Sequence, residues 1–282
     1  MANIFINGLN SKVGGGKTIL NDYLKFLRIN NPQHNYFILT PNKKEYKKYI
    51  NDFINILDIK KFYKKSIFIP FVYRFLLNSL LKKLKIDVCF NFADIPIKTK
   101  KSQIFLFDWS YAVYPKSVIW KKMRLGEWLK AKIKLYYFKK NLPYIQELIV
   151  QTPTIEKRIK NIYNIKSITI SPNSISSDNH NPIYKNFNLP KKQIKLLYLT
   201  HYYAHKNIEI FVPLAQKIKQ HNLNYKIIIT IDANQHIKAK KLLKNIKKQK
   251  LNDIIINVGS VKTQNIASLY QQCDAFLMPT LL

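Results

Sequence analysis

Short, almost wholly apolar runs recur along the chain, and helix-length polar stretches separate them. They are Asn3–Leu9, Tyr36–Thr40, Ser66–Ile69, Asp87–Asn91, Ile104–Phe107, Glu147–Gln151 and Ser167–Ile170, then Lys195–Thr200, Tyr225–Ile231, Asp253–Val258 and Ala275–Met278. Apolarity that is continuous rather than alternating marks strands covered on both faces, so a parallel α/β sheet is predicted over a sandwich. At roughly 100–150 residues per domain, 282 residues suggest two Rossmann-like domains. The 47% hydrophobic share is enough to fill a core in each and argues against disorder. The best boundary is the asparagine-rich stretch 172–192 with its three prolines. It predicts an N-terminal domain over 1–175, a linker over 176–192 and a second, incomplete domain over 193–282.

Lys and Arg number 48 against 15 Asp and Glu, a net charge of +33. The partner this favours is anionic: a phosphorylated ligand, a membrane surface or a nucleic acid. Only Arg28, Arg74, Arg124 and Arg158 are arginines, while Asn and Ile abound. That is the codon bias of an AT-rich genome, which supplies part of the charge without function. Cys89 and Cys273 are far apart and each lies in an apolar run, so neither a disulfide framework nor a metal quartet is expected. The first nine residues lack a signal-peptide pattern. The most apolar stretch, Ile67 to Leu81, is interrupted by Pro70, Arg74 and Asn78, so no spanning helix is expected and the chain is predicted to be cytosolic.

Three segments carry chemistry. The first apolar run leads into Ser11-Lys-Val-Gly14-Gly15-Gly16-Lys17-Thr18 and a helical pattern. Three glycines before a helix let backbone N–H groups approach a phosphate or sugar. A glycine-rich cleft wall, a structural turn and a phosphate-gripping P-loop all fit, although the P-loop would need glycine at Ser11. The second segment, between Pro115 and Pro143, mixes Lys121, Lys122, Arg124, Lys130, Lys132, Lys134, Lys139 and Lys140 with Trp120, Trp128, Tyr136, Tyr137 and Phe138. Leu125, Trp128, Leu129, Ile133, Tyr136 and Tyr137 share one helical face. Such a face either packs on its own sheet or lies on an anionic membrane, with nucleic acid as a third reading. The membrane reading would use Trp120, Lys121, Lys122, Arg124 and Trp128. The third segment, Leu196 to Asn207, places His201, His205 and Lys206 in a loop between a strand and a helix beginning near Ile208. Lys206 and free helix amides are a means of holding a diphosphate. A His201–His205 metal pair has the spacing but no third ligand close in sequence.

In order, these segments, with Ile170-Ser-Pro-Asn173-Ser174 at the boundary and the closing run from Gly259 through Leu269-Tyr270, Asp274 and Pro279-Thr280, resemble the retaining glycosyltransferases of family 4. The resemblance implies a GT-B fold of two Rossmann-like domains. It implies a nucleotide-sugar donor lying mainly on the second domain, its diphosphate held by Lys206 and by His201, which stands where the family usually has Arg. It places Ser260 and Val261 near the base, Gly14, Gly15 and Gly16 toward donor phosphate and acceptor, and Asp108 as a catalytic residue, although Phe107 replaces the family's usual His. It further implies that the donor domain stops short of a loop carrying paired glutamates, which would weaken donor binding.

The function expected from this is transfer of a sugar from a nucleotide-sugar to a surface-polysaccharide or lipid-linked glycan acceptor. No cofactor or metal is expected, since the nucleotide-sugar is a substrate. An anionic membrane surface is the expected partner and the inner face of the plasma membrane the expected location, without nucleic acid. The alternatives are a basic nucleic-acid-binding protein and a non-catalytic remnant of such a transferase.

Overall fold

A computed structural model describes residues 1–12, 14–30, 33–59, 68, 71–165, 167–173 and 184–282. Most of the expected strand Ser66–Ile69, and the expected linker as far as residue 183, lie outside them. The chain divides into two compact units, Met1–Pro115 with Arg124–Ile175, and Lys116–Met123 with Ser176–Leu282. The segment Lys116–Met123 is therefore grouped with the second unit, although the sequence reading placed it in the first domain.

The first unit is built on seven parallel strands, β1 (Asn3–Asn7), β2 (Asn35–Leu39), β3 (Ile54–Leu57), β4 (Val88–Asn91), β5 (Ser102–Leu106), β6 (Glu147–Val150) and β7 (Ile168–Ile170), in the order β3-β2-β1-β4-β5-β6-β7. One face is covered by α1 (Gly14–Ile29) and the short α2 (Lys43–Tyr46), whose Leu20, Leu24, Leu27 and Tyr46 pack with Ile6, Ile38 and Ile54. The opposite face carries α3 (Leu77–Lys83), α5 (Leu125–Asn141) and α6 (Pro153–Ile162), packed on Phe5, Cys89, Phe105 and Leu148. Neighbouring residues such as Phe5 and Ile6 thus enter opposite cores, the physical reason for the continuous apolar runs. β3 escaped the sequence reading because Ile54-Asn-Ile-Leu57 is short and alternates, as suits an edge strand.

Local chemistry fixes the helix ends. Thr152 accepts a hydrogen bond from the Ile155 amide, with Pro153 at the first helical position of α6. In α5, Glu127 reaches back to accept from the Arg124 amide. The orientation of α5 separates the readings that the sequence leaves open. Its inward residues are Phe138 and Asn141, with Leu135 and Tyr137 partly buried. Leu125, Trp128, Leu129, Ile133 and Tyr136 are exposed, so this face points to solvent and does not pack on the sheet. Phe138 wins the core because its ring closes a cluster with Phe105, Phe107 and Tyr163.

The second unit has four parallel strands, β8 (Ile194–Tyr198), β9 (Tyr225–Ile229), β10 (Ile255–Asn257) and β11 (Ala275–Phe276), in the order β10-β9-β8-β11. Helices α7 (Phe211–Gln220) and α8 (Ile237–Lys248) cover one face over Tyr198, Ile227 and Ile229, and α9 (Ile266–Gln271) covers the other with Leu197, Ile228 and Leu269. Phe187 and Leu189 pack on that second face, and Gln272 ties the Lys185 carbonyl and the Phe187 amide. The end of the expected linker is thus part of the unit. Helix α4 (Ile119–Lys122) belongs here as well.

Candidate functional site

In the first unit the sheet order reverses between β1 and β4, and ligands of open parallel sheets bind beyond the carboxyl ends of strands at such a point. A buried polar chain fixes those ends. Asn7 donates to Asn91 Oδ1 (3.1 Å) and to the Tyr73 hydroxyl (3.3 Å). Asn91 donates to the Ile95 carbonyl (2.9 Å) and to Gln103 Oε1 (3.2 Å), while Gln103 donates to the Ile97 and Tyr144 carbonyls and accepts from the Ile97 amide. The carboxyl ends of β1 and β4 are thereby tied together, and Gln103, at the start of β5, fixes the loop between β4 and β5.

Gly14, Gly15 and Gly16 form the first turn of α1 rather than a loop ahead of it. Gly14 has φ +64°, which a side chain would strain, and a Cβ on Gly14 or Gly15 would meet nothing within 4 Å, so the helix N-terminus opens onto free space. A Cβ on Gly16 would stand 3.9 Å from both Ser11 Oγ and Asp108 Oδ2. Ser11 is buried with its hydroxyl unpartnered. Lys17 is bound to Glu45 at 2.5 Å, and the P-loop alternative loses the lysine it needs.

Asp108 follows β5 and stands in contact with solvent, yet surrounding protein and the Asp94 carboxylate push it up to about 7, against the pull of Lys134. Asp94 is held by Asn10 Nδ2 at 2.9 Å and Lys134 Nζ at 2.6 Å, and Lys134 lies 4.2 Å over the Trp109 ring. A carboxyl group that titrates near neutrality can both accept from and donate to a hydroxyl. The sequence reading gave Asn10, Ser11, Asp94 and Lys134 no part in this site, although Ser11 and Lys134 lie in segments it singled out. They are scattered over more than a hundred positions and only the topology unites them.

In the second unit the loop after β8 is stitched down at the same kind of strand end. The Thr200 amide donates to Thr230 Oγ1, whose hydroxyl donates back to the Thr200 carbonyl, both at 2.9 Å. The Tyr202 amide donates to Gln235 Oε1 (2.9 Å), and Gln235 Nε2 donates to Ser260 Oγ (3.3 Å). The Tyr198 hydroxyl donates to the Lys206 carbonyl at 2.9 Å, and Asn207 closes the turn with φ +53°. His201 is exposed beside the Tyr203 ring. His205 stacks on Tyr203 as well, and burial, with Lys206 next to it, drives its imidazole down to about 4, so it is neutral at neutral pH. Val261 packs against the core with Leu197 and Leu269, leaving its backbone and Ser260 at the rim. The expected helix near Ile208 begins as a 3₁₀ turn, Ile208–Ile210, ahead of α7.

The segment Lys116–Met123 borders this loop. Lys122 Nζ donates to Asn207 Oδ1 (3.0 Å) and Lys238 Nζ to the Lys122 carbonyl (2.7 Å), while Ile119 is buried. Trp120, Lys121 and Lys122 therefore lie in the second unit and Arg124 and Trp128 in the first. The five residues expected to form one membrane contact are divided between the two. Among the described residues no cluster of three His, Cys, Asp or Glu side chains is placed to share a metal, and no helix is long and apolar enough to cross a membrane.

Residues 180–282 match the model of the family described as glycosyl transferases group 1. Sucrose-phosphate synthase from Thermosynechococcus elongatus superposes with a TM-score of 0.70 at 12% identity, over 100% of this chain and 76% of that one. The fold is that of the GT-B glycosyltransferases. Anabaena HepE, solved with UDP and glucose, gives 0.64 at 11% identity over 99% and 74% of the two chains. WaaG, a glycosyltransferase involved in lipopolysaccharide biosynthesis, gives 0.64 at 10% over 99% and 75%. No curated protein sequence matches significantly.

Proposed function

We propose that the chain is a retaining glycosyltransferase of family 4 that moves a sugar from a nucleotide-sugar to a glycan or lipid-linked acceptor of a cell-surface polysaccharide. The observation that carries this is the loop after β8, whose backbone is fixed by Thr230, Gln235 and Tyr198 while His201 and Lys206 remain at the rim. The match of residues 180–282 to the group 1 family falls on the unit that holds this loop. In the transfer, the bond from the anomeric carbon to the diphosphate oxygen breaks, a bond to an acceptor hydroxyl oxygen forms on the same face, and the hydroxyl's proton passes to the departing diphosphate oxygen. Negative charge grows on the departing diphosphate, and Lys206, His201 and nearby backbone amides stabilise it there without a metal ion. Ser260 and the Val261 backbone take the base. In the first unit, Gly14 to Gly16 leave room for the acceptor and Asp108 bonds its hydroxyl. An enzyme of this class works in the cytoplasm, at the inner face of the membrane that holds its acceptor.

The test is calorimetric titration with UDP, GDP and dTDP. One of them binds, and Lys206→Ala weakens that binding about tenfold or more, the loss of a charge-assisted contact. Equal affinity in the variant removes the site assignment.

A further inference from the structure

Helices α7 and α8 flank a hollow of about 530 Å³ on the second unit, within the range of about 300–1,000 Å³ that small-molecule sites occupy. Val212, Pro213 and Leu242 give it an apolar wall, and Glu209, Lys238, Lys241 and Asn245 line the rest. Hydrogen bonds fix both ends. At one, the Tyr202 hydroxyl donates to Glu209, and Lys238 Nζ donates to the Lys122 carbonyl at 2.7 Å. At the other, Gln216 Nε2 on α7 donates to Gln249 Oε1, and Gln249 Nε2 donates to Asn245 Oδ1, both at 2.8 Å. The walls are thus set by bonds that run from helix to helix and from helix to loop.

The groups around the hollow select its ligand. Lys241 has no partner among the described residues, and Lys238 spends one of its three ammonium donors on Lys122. Glu209 pairs with the Tyr202 hydroxyl and with neither lysine. Two cations against one acid leave net positive charge in the hollow, and an anionic group placed there gains charge-assisted contacts. Asn245 keeps its Nδ2 donors and Glu209 its second oxygen, so ligand hydroxyls meet both a donor and an acceptor. The C–H face of a pyranose ring suits Val212, Pro213 and Leu242. A fatty or aromatic acid would leave Asn245 and Glu209 unmatched, and inorganic phosphate would leave the apolar wall in water. Lysine alone does not make this setting, since Lys247 lies on the side of α8 opposite Lys238 and Asn245.

We infer that the hollow between α7 and α8 is a second ligand site, which takes a hexose phosphate with its phosphate on Lys238 and Lys241, its hydroxyls on Asn245 and Glu209, and its ring against Val212, Pro213 and Leu242. Glu209 also holds Tyr202 in the loop after β8, so the occupant lies one hydrogen bond away from that loop. The proposal does not depend on the donor site, and the two can fail separately.

The experiment is calorimetric titration of the full chain with the 1- and 6-phosphates of glucose, galactose and mannose, and with the free sugars and inorganic phosphate for comparison. At least one hexose phosphate should bind with a dissociation constant below about 1 mM, and the free sugars and inorganic phosphate about tenfold or more weaker, because each fills only part of the site. Lys241→Ala, a change at an exposed side chain that leaves folding intact, should weaken hexose phosphate binding about tenfold or more. Lys247→Ala and Lys206→Ala should leave it unchanged. Absence of binding at that level, inorganic phosphate binding as tightly, or equal loss from Lys247→Ala, which would assign the binding to diffuse charge, would each overturn the proposal. So would binding that Lys206→Ala abolishes and Lys241→Ala spares, which would place the hexose phosphate in the donor loop. An oligoglutamate peptide that binds through Lys241 where no hexose phosphate does would overturn it as well and assign the hollow to a protein partner.

Discussion

Phe138→Ala and Leu129→Ala, two truncations nine residues apart on α5, should have opposite consequences. Phe138 is fully buried, with ring centroids of Phe105, Phe107 and Tyr163 at 5.9, 5.7 and 5.5 Å. Removing that ring takes a large apolar surface out of the core, leaves a cavity and dissolves three aromatic pairs, a loss of about 3–5 kcal/mol. Leu129 stands in water, so its truncation should change stability by no more than about 0.5 kcal/mol, and alanine is the better helix former. For a unit of this size each kcal/mol moves the melting temperature by roughly 2–4 °C. The first variant should therefore melt roughly 10 °C lower and the second within about 2 °C of the parent. Scanning calorimetry follows the first unit's transition separately from the second if the two unfold independently. Equal losses, or a larger loss at Leu129, would mean that α5 lies on its sheet by the other face.

Three further outcomes follow from the same contacts. Gln103→Leu removes the hub that serves the Ile97 amide, the Ile97 and Tyr144 carbonyls and Asn91, and should cost about 3 kcal/mol or more in urea unfolding; a loss below about 1 kcal/mol would mean that these groups find other partners. Gly8→Ala would place a Cβ 2.6 Å from Leu20 Cδ2 and 3.2 Å from the Leu39 carbonyl, so the buried Leu20 side chain must give way, or α1 with it, at a cost of about 1–3 kcal/mol, and an unchanged melting temperature would show that Leu20 does not fill this space. Asp108 has its folded-state pKa raised to about 7, so the folded form binds more protons than the unfolded one and its contribution to stability falls as pH rises from about 4 to about 7. The melting temperature of Asp108→Asn relative to the parent should climb across that window and level off above it; a flat difference would place Asp108 among ordinary surface carboxylates.

The parallel sheets were legible because strands covered on both sides cannot alternate, and runs such as Tyr36–Thr40 and Tyr225–Ile231 say so directly. The helix start after β1 and the loop after β8 were legible as positions, since a glycine run and a lysine after a strand are local signals, although the glycines proved to be the helix's first turn and not a loop ahead of it. What failed was whatever needs a second element to decide it. Helix α5 bears two apolar faces, and for the broader one, through Leu125, Leu129 and Ile133, the sequence left core and solvent-facing readings open. Phe138 outcompetes it only because Phe105, Phe107 and Tyr163 wait on the sheet and on neighbouring segments. Asp94, Lys134 and Ser11 reach the surroundings of Asp108 by way of three different crossovers, and no window of sequence contains them. Gly8 carries no pattern either, and its role shows only as a Cβ that Leu20 and the Leu39 carbonyl would refuse.

The charge itself locates nothing, and the reason is arithmetic. With 48 cationic side chains and 15 acids, at least 33 cations have no carboxylate of their own wherever they lie. Among the described residues the acids that do pair are spread over both units, Asp22 with Lys25, Asp94 with Lys134, Glu45 with Lys17, Glu156 with Lys160 and Asp274 with Lys195. Any anionic surface will therefore attract this protein at low salt, and weakly so at a Debye length of about 8 Å. Attraction becomes an orientation only where lysines coincide with an apolar face that has no core to enter. On α5 they coincide. The salt dependence of binding to anionic lipid vesicles should accordingly separate two contributions: a steep one that lysine changes anywhere diminish, and a salt-resistant remainder that only Leu129 and Ile133 supply. If no remainder survives at high salt, the attraction is electrostatic alone and α5 has no privileged part in it.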